Sequence, residues 1–180
     1  MDEAPTLLEK LKAGDHEAFN DVIKEYHREI YFLTLRMVKK AEDAEDLTQQ
    51  TFINAFEKIG SFRGDSSLKT WLYQIALNLC RTHLRKKRVV VELNENILNE
   101  GSYNDSPLGS ILKTEQGELA KAELDKLSEK QKMAVILRVF HDMEYKQIGD
   151  IIHCSEKTAK VNFHYGIDKL RKKMKENGIM

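Results

Sequence analysis

Hydrophobic residues recur every three or four positions along most of this 180-residue chain, a spacing that predicts amphipathic helices. Leu7, Leu8 and Leu11 predict a short first helix, and Asp15 is a suitable N-cap for a second helix that continues through residues 27–40. Further helices are predicted at residues 43–59, 68–88, 115–126, 129–141, 144–152 and 155–175. The stripe expected to be buried in the 68–88 helix consists of Trp71, Leu72, Ile75, Ala76, Leu79 and Leu84. Strand signals are nearly absent, so the pattern predicts an all-α protein.

Residues 92–112 break this pattern, because they are polar and acidic, rich in Asn, Gly and Ser, and contain a proline. Such a composition is typical of a linker between folded units. The sequence therefore predicts two small helical domains, at residues 1–90 and 113–180, joined by a flexible acidic linker at residues 91–112.

The last three predicted helices have the spacing of a helix-turn-helix. Ser128 begins a helix that ends near His141, Asp142 and Met143 form a short connection, and Ser155 caps the final basic helix. In such motifs the first residues of the second helix approach base edges in the major groove of DNA, and basic residues further on contact phosphate. These positions are occupied by Lys157, Thr158, Lys160, Asn162 and His164, followed by Arg171. The alternative is a helical hairpin with a solvated basic end.

The distribution of charge agrees with DNA binding although the net charge does not. The chain carries 29 basic and 29 acidic residues. Residues 1–60 and 89–130 each have a net charge of −5, whereas residues 61–88 have +6 and residues 131–180 have +4. Local field matters more than net charge for binding a polyanion. The two basic segments therefore predict two separate contacts with DNA.

Several other function classes find no support in the residues. No segment approaches the roughly 18 unbroken apolar residues of a membrane span, and the acidic N-terminus does not resemble a secretory signal. Cys80 and Cys154 lie far apart, which argues against a structural disulfide and for a reducing cytoplasm. His153, Cys154 and His164 fit no zinc spacing. We therefore expect a cytoplasmic protein with no metal, no cofactor, no small-molecule substrate, no membrane insertion and no enzymatic activity.

Three stretches of the chain resemble bacterial RNA polymerase sigma factors. Residues 127–171 are similar in outline to the domain that reads the promoter −35 element. Residues 43–59, DAEDLTQQTFINAFEKI, resemble the helix of the family that binds the polymerase core. Residues 62–87, FRGDSSLKTWLYQIALNLCRTHLRKK, resemble the segment of the family that melts and reads the −10 element. The order of the motifs, the linker and the compact length resemble the extracytoplasmic-function (ECF) type of the sigma-70 family.

The resemblance implies that one face of the 43–59 helix contacts a coiled coil of the polymerase's largest subunit. Such a contact requires acceptors for cationic side chains and an aromatic anchor. The matching positions hold Asp46, Gln49, Gln50, Phe52 and Phe56. Gln50 stands where the family usually has Glu. The alternative is a solvated polar helix face above phenylalanines of the core.

The resemblance also implies a −10 surface in the first basic segment. Strand opening requires a pocket for a flipped base, with aromatic or apolar walls and polar edges. The candidates are Phe62, Arg63, Gly64, Thr70, Trp71, Asn78, Arg81, Arg85 and Lys86. Trp71 is better explained as a core residue, whereas Phe62 stays open between core and pocket. Arg81 and Thr82 replace the family's usual aliphatic residue and Asp, and Asn162 and Tyr165 replace Arg in the −35 helix.

These observations together predict a dissociable subunit that directs RNA polymerase to specific promoters. The implied partners are core polymerase, through its largest-subunit coiled coil and its flap, promoter DNA, and an anti-sigma factor that releases the protein on a stress or envelope signal. The alternative is a stand-alone helix-turn-helix regulator that binds operators without polymerase, which leaves the motif at residues 43–88 unused. A nucleic-acid enzyme is the weakest hypothesis, because no catalytic constellation is visible.

Overall fold

The structure is a computed structural model that describes residues 6–93 and 115–177. Within these ranges every regular element is a helix, so the all-α prediction is confirmed. The chain divides into two compact units, residues 1–102 and residues 103–180. The first unit contains α1 (Leu7–Lys12), α2 (His16–Val38), α3 (Ala41–Lys58), a 3-10 turn (Ile59–Ser61) and α4 (Leu68–Leu93). The second contains α5 (Glu115–Asp125), α6 (Glu129–His141), α7 (Tyr145–Ile152) and α8 (Glu156–Glu176).

Helix α2 is one continuous helix with a defined start and end. The Asp15 carboxylate accepts hydrogen bonds from the N–H groups of Glu17 (2.9 Å) and Ala18 (3.1 Å), which satisfies two free donors of the first turn. The helix ends after Val38, where Lys39 adopts the left-handed region with φ of 67°. Asp15 therefore acts as the N-cap that the sequence predicts.

The core of the first unit lies where α2, α3 and α4 pack together. Its aliphatic members include Ile30, Leu33, Leu72 and Leu77, all at most 1% exposed. A buried polar network joins α2 to α3: the Thr34 hydroxyl lies 3.2 Å from the Ala44 carbonyl oxygen and 3.0 Å from the Thr48 hydroxyl. An unsatisfied buried hydroxyl costs about 1–3 kcal/mol, so this network favours one register between the two helices.

Helix α4 differs from the prediction in its buried face and its end. Leu84, expected in the buried stripe, is 36% exposed. Leu72 and Ala76 are buried as predicted, and Tyr73, Leu77 and Cys80 are buried beside them, because both α2 and α3 pack against α4 and cover more of it than one aliphatic stripe indicates. The helix continues to Leu93, three residues into the predicted linker. The rest of that linker lies outside the described residues.

A polar contact fixes the buried Tyr73 of α4 to α2. Its hydroxyl donates a hydrogen bond to the Glu29 carboxylate at 2.9 Å, and Lys69 approaches the same carboxylate oxygen at 2.7 Å. Burial, reinforced by the negative charge of Glu29, raises the pKa of Tyr73 well above its ordinary value. The phenol therefore stays protonated and serves as a hydrogen-bond donor.

The second unit contains the predicted helix-turn-helix. Helices α6, α7 and α8 enclose a core of Met133, Ile136, Leu137, Ile148, Ile151 and Ile152. Left-handed residues end α6 and α7, namely Asp142 with φ of 46° and His153 with φ of 54°. A Cβ at Gly149 would lie 2.7 Å from the Cys154 carbonyl oxygen, so the glycine allows the chain to turn closely from α7 into α8.

Candidate protein and nucleic-acid interfaces

An apolar groove of about 570 Å³ lies between α2 and α3 on the first unit. Phe52 is only 5% exposed and forms its floor, whereas Ile53 and Phe56 are 50% and 38% exposed at its rim. The Phe56 ring contacts Phe19 and His16, with centroid distances of 5.0 and 5.5 Å. A concave surface lined by exposed apolar side chains indicates a site for another protein.

The predicted core-binding residues divide between this groove and the polar face beside it. Gln49, Phe52 and Phe56 line the groove. Asp46 and Gln50 are exposed on the same helix but do not belong to the lining. The face thus combines hydrogen-bonding groups with an apolar anchor, although Phe52 contributes from below rather than at the surface.

The sequence did not identify several residues of the groove. Ile53 lies between the two phenylalanine candidates Phe52 and Phe56 on α3, and its spacing of four residues from Gln49 could have revealed it. Ile23 and His27 belong to α2, and His27 packs on Phe52 with centroids 6.3 Å apart. These two residues reach the groove through tertiary packing, for which the periodicity of one helix gives no signal.

An aromatic pair stands where the loop after the 3-10 turn meets α4. The rings of Phe62 and Trp71 are stacked, with centroids 4.9 Å apart and planes at 29°. Phe62 is 7% exposed and Trp71 is half-buried, so Phe62 is the deeper of the two. Thr70 is 1% exposed, and its hydroxyl lies 2.9 Å from that of Ser67. Phe62 and Thr70 therefore support this surface from within.

The loop before α4 presents two of the −10 candidates to solvent. Arg63 is exposed and its guanidinium forms an ion pair with Asp65 at 3.0 Å. Gly64 is exposed and has φ of 81°, a left-handed conformation that favours glycine. A Cβ at this position would lie 3.7 Å from Leu8 Cδ2, an ordinary contact, so the backbone conformation and not a lack of space favours glycine here.

Polar and basic side chains continue along the exposed face of α4. Asn78 lies two turns after Trp71 and accepts a hydrogen bond from Arg81 at 3.1 Å. Arg85 and Lys86 are exposed one to two turns further on. The predicted −10 residues on α4 therefore form a continuous strip from an aromatic pair to a basic end.

The basic end of α4 is attached to the start of α3. Asp43 accepts a hydrogen bond from His83 at 3.2 Å, and Lys87 lies 3.7 Å from the same carboxylate oxygen. Asp43 is also in the first turn of α3, where the helix dipole favours a carboxylate. This contact fixes one side of α4 and leaves Arg85 and Lys86 exposed to solvent.

The N-terminal half of α8 carries the predicted −35 candidates. The Ser155 hydroxyl accepts a hydrogen bond from the Thr158 N–H at 3.1 Å and caps the helix. Lys157, Lys160 and His164 are exposed and recur at helical spacing on one face. Further along that face lies Arg171, which is also exposed.

Two of the −35 candidates lie beside that face and already make contacts within the helix. The Thr158 hydroxyl is 2.8 Å from the Ser155 hydroxyl. Asn162 is half-buried, and its side-chain amide donates to the Thr158 carbonyl oxygen at 3.0 Å. These contacts use one of the two N–H donors of the Asn162 amide and part of the hydrogen-bonding capacity of the Thr158 hydroxyl.

Among residues 6–93 and 115–177, no three His, Cys, Asp or Glu side chains converge as metal ligands would. No helix in these ranges is both long and apolar enough to span a membrane.

Comparison with known proteins identifies the family. The model of sigma-70 region 2 matches residues 22–89, and that of sigma-70 region 4 matches residues 118–170. The ECF RNA polymerase sigma factor SigW of Bacillus subtilis is 30% identical over 94% of this chain and 95% of its own length. The RNA polymerase sigma-H factor of Pseudomonas aeruginosa is 32% identical over 86% of this chain and 84% of its own length.

A solved structure has the same fold. The sigma factor RpoE from Bartonella quintana, in complex with the anti-sigma factor NepR, superimposes with a TM-score of 0.69 at 24% identity. The match covers 87% of this chain and 96% of that one. The two family models and the two relatives together show that the chain belongs to the ECF sigma factors of the sigma-70 family.

Proposed function

We propose that this protein binds core RNA polymerase, directs it to a set of promoters and opens their −10 region. The observation that carries the proposal is the pairing, in one chain, of an apolar protein-binding groove in the first unit with a basic DNA-reading helix in the second. Both units match sigma-70 regions in the family's order. The chain itself supplies recognition and strand opening, and the polymerase performs the bond chemistry.

The polymerase contact is assigned to the groove between α2 and α3 and to the polar face beside it. Asp46, Gln49 and Gln50 offer hydrogen-bond acceptors to cationic side chains of the coiled coil in the largest subunit. Ile53 and Phe56 supply the exposed apolar anchor, because burying them against a partner removes apolar surface from water. The second unit makes a further contact with the polymerase flap.

The −10 contact is assigned to the strip along α4 and the loop before it. Trp71 offers an aromatic surface for an unstacked base, supported by the buried Phe62 and Thr70. Asn78 presents both a donor and an acceptor to a base edge. Phosphate contacts come from Arg63, Arg81, Arg85 and Lys86, and Gly64 lets the DNA backbone approach.

The −35 contact is assigned to α8. Lys157, Lys160 and His164 face the major groove, Thr158 and Asn162 flank them, and Arg171 reaches phosphate. Lys contacts guanine and Asn pairs with adenine in the major groove. Because Asn162 and Tyr165 stand where the family often has Arg, the preferred −35 sequence differs from the common ones.

The protein acts in the cytoplasm, and an anti-sigma factor holds it inactive until a stress or envelope signal releases it. Support comes from the similar Bartonella quintana sigma factor, whose structure was solved with an anti-sigma factor. The exposed Ile53 and Phe56 give such a partner an apolar surface to cover. Covering them also blocks the polymerase contact.

A run-off assay tests the proposal. Purified core polymerase, the protein and fragmented genomic DNA of its source are incubated with nucleotides, and the 5′ ends of the transcripts are sequenced. We expect transcripts from a limited promoter set with shared −35 and −10 elements, absent with core polymerase alone. Replacing both Asp46 and Gln49 with Ala should reduce them. Transcripts that do not depend on the added protein contradict the proposal.

A further inference from the structure

A half-buried tyrosine at the start of α7 packs behind the DNA-reading face of α8. The Tyr145 ring lies 5.7 Å from the Phe163 ring and 6.4 Å from the His164 ring, measured between centroids. Phe163 and His164 are themselves 5.3 Å apart with their planes at 72°. His164 is nevertheless exposed, on the same face as Lys157 and Lys160. Its imidazole therefore reaches solvent from an aromatic cluster that restricts how the ring can turn.

Tyr145 is in turn held by Arg138 of α6. The guanidinium carbon lies 5.2 Å from the centroid of the Tyr145 ring. The same group donates a hydrogen bond to the Met143 carbonyl oxygen at 2.9 Å and approaches the Asp142 carboxylate at 3.8 Å. Planar stacking of an arginine on an aromatic ring is favourable and directional. Side chains thus connect α6 through α7 to one residue on the reading face of α8.

We propose that Tyr145 is a positioning residue for promoter discrimination, because its ring orients the imidazole of His164 toward one base pair of the −35 element. The inference rests on the proposed −35 role of α8. The two ring nitrogens of a histidine differ in donor and acceptor character. A ring held in one orientation distinguishes base edges that present an acceptor from those that present a donor, whereas a freely turning ring does not.

The experiment uses polymerase holoenzyme assembled with the full chain and a promoter library randomised across the −35 element. Comparing wild type with His164→Ala identifies the base pair that His164 reads, where we expect a preference of roughly tenfold. Tyr145→Leu should lower the preference at that base pair by roughly threefold or more and leave the other positions unchanged. Tyr145→Phe keeps the ring and should retain the preference. A preference is a ratio between sequences, so it does not depend on the folded fraction.

Two further variants test whether Tyr145 acts through His164. With His164→Ala already present, Tyr145→Leu should change no base preference. Tyr31→Leu in α2, another half-buried tyrosine whose ring lies 5.6 Å from the Phe32 ring, is the matched control and should change none either.

Four results would overturn the inference. The first is that His164→Ala leaves every base preference unchanged, and the second is that Tyr145→Leu lowers transcription equally on every −35 sequence. The third is that Tyr145→Phe lowers the base preference as much as Tyr145→Leu does. The fourth is that Tyr145→Leu still changes the base preference when His164 has been replaced by Ala. If the tyrosine hydroxyl instead contacted phosphate, Tyr145→Phe would lower transcription equally on every −35 sequence. If the wild-type holoenzyme makes no promoter-specific transcript, the proposed function itself is wrong, and this inference with it. That result is seen before any variant is compared.

Discussion

The two units of this chain expose different kinds of surface. The first has a groove with apolar rim residues such as Ile53 and Phe56, whereas the second presents Lys157, Lys160 and His164 on one helix face. Burial of apolar surface depends little on salt, but contacts to phosphate weaken steeply as salt rises. We infer that the two surfaces bind a protein partner and DNA by separate physical means. Core binding and promoter reading should therefore be separable by mutation.

The largest effect is expected from a charge in the groove. Ile53→Asp places a carboxylate on a surface that must lose water when polymerase binds, so affinity for core polymerase should fall about 100-fold. Stability should change little, because Ile53 is 50% exposed. Affinity is measured by titrating labelled core polymerase with each variant. Leu7→Asp is the matched control, since Leu7 is 48% exposed and lies outside the groove. Equal affinities of the two variants would place the polymerase elsewhere.

A smaller and opposite pattern is expected on α8. Lys160→Ala should reduce transcription from a cognate promoter about tenfold, while affinity for core polymerase stays unchanged. Asn162→Ala should cost less, because the Asn162 amide is already bonded to the Thr158 carbonyl oxygen. The measurement is run-off transcription in parallel with core titration. Lys169→Ala is the control, as Lys169 lines a cleft on another side of α8. Full activity of Lys160→Ala on the native −35 sequence removes Lys160 from the reading face.

A stability change tests whether the units are independent. Tyr73→Phe removes the hydrogen bond to Glu29 inside the first unit, while Glu29 keeps its ion pair with Lys69. The free energy of unfolding of the first unit should fall by about 1 kcal/mol. Differential scanning calorimetry should show a shift in one transition and none in the other. A matching shift in both transitions would mean that the two units unfold together.

The smallest functional effect is expected from the thiols. Burial raises the pKa of Cys80 to about 12, and burial also raises the pKa of the partly exposed Cys154. Both thiols are therefore protonated at neutral pH and react slowly with oxidants. Cys154→Ser should leave transcription within about twofold, with or without peroxide pretreatment. Iodoacetamide at pH 7 should label Cys154 before Cys80. Loss of activity on oxidation of wild type alone would reveal a redox role for Cys154.

A structural feature can be predicted from the sequence when it depends on residues that are close together in the chain. Caps and periodic helices are local, so Asp15, Ser155 and the bounds of α6 and α7 follow from the chain itself. Contacts across helices are not local. The hydrophobic pattern of α4 predicts that Leu84 is buried. It is exposed, because α2 and α3 cover a different face of α4.

The candidate surfaces follow the same rule. Exposed residues at regular spacing, such as Lys157 and Lys160, were predicted from one helix alone. The depth of Phe62 and Thr70 depends on packing against neighbouring residues, so the expectation that Trp71 is the core residue was wrong: Phe62 is buried and Trp71 is half-buried. The contact between Tyr145 and His164 joins two helices, so the periodicity of either helix alone does not predict it.

Binding of a cognate promoter fragment by the 180-residue chain, with and without core polymerase, tests whether promoter reading depends on the polymerase. Fluorescence anisotropy at near-physiological salt measures both affinities. Since residues 131–180 carry a net charge of only +4, the protein alone should bind weakly and without sequence preference. Addition of core polymerase should produce tight binding that depends on both promoter elements. Equally tight, specific binding by the protein alone would contradict the account and identify a stand-alone regulator.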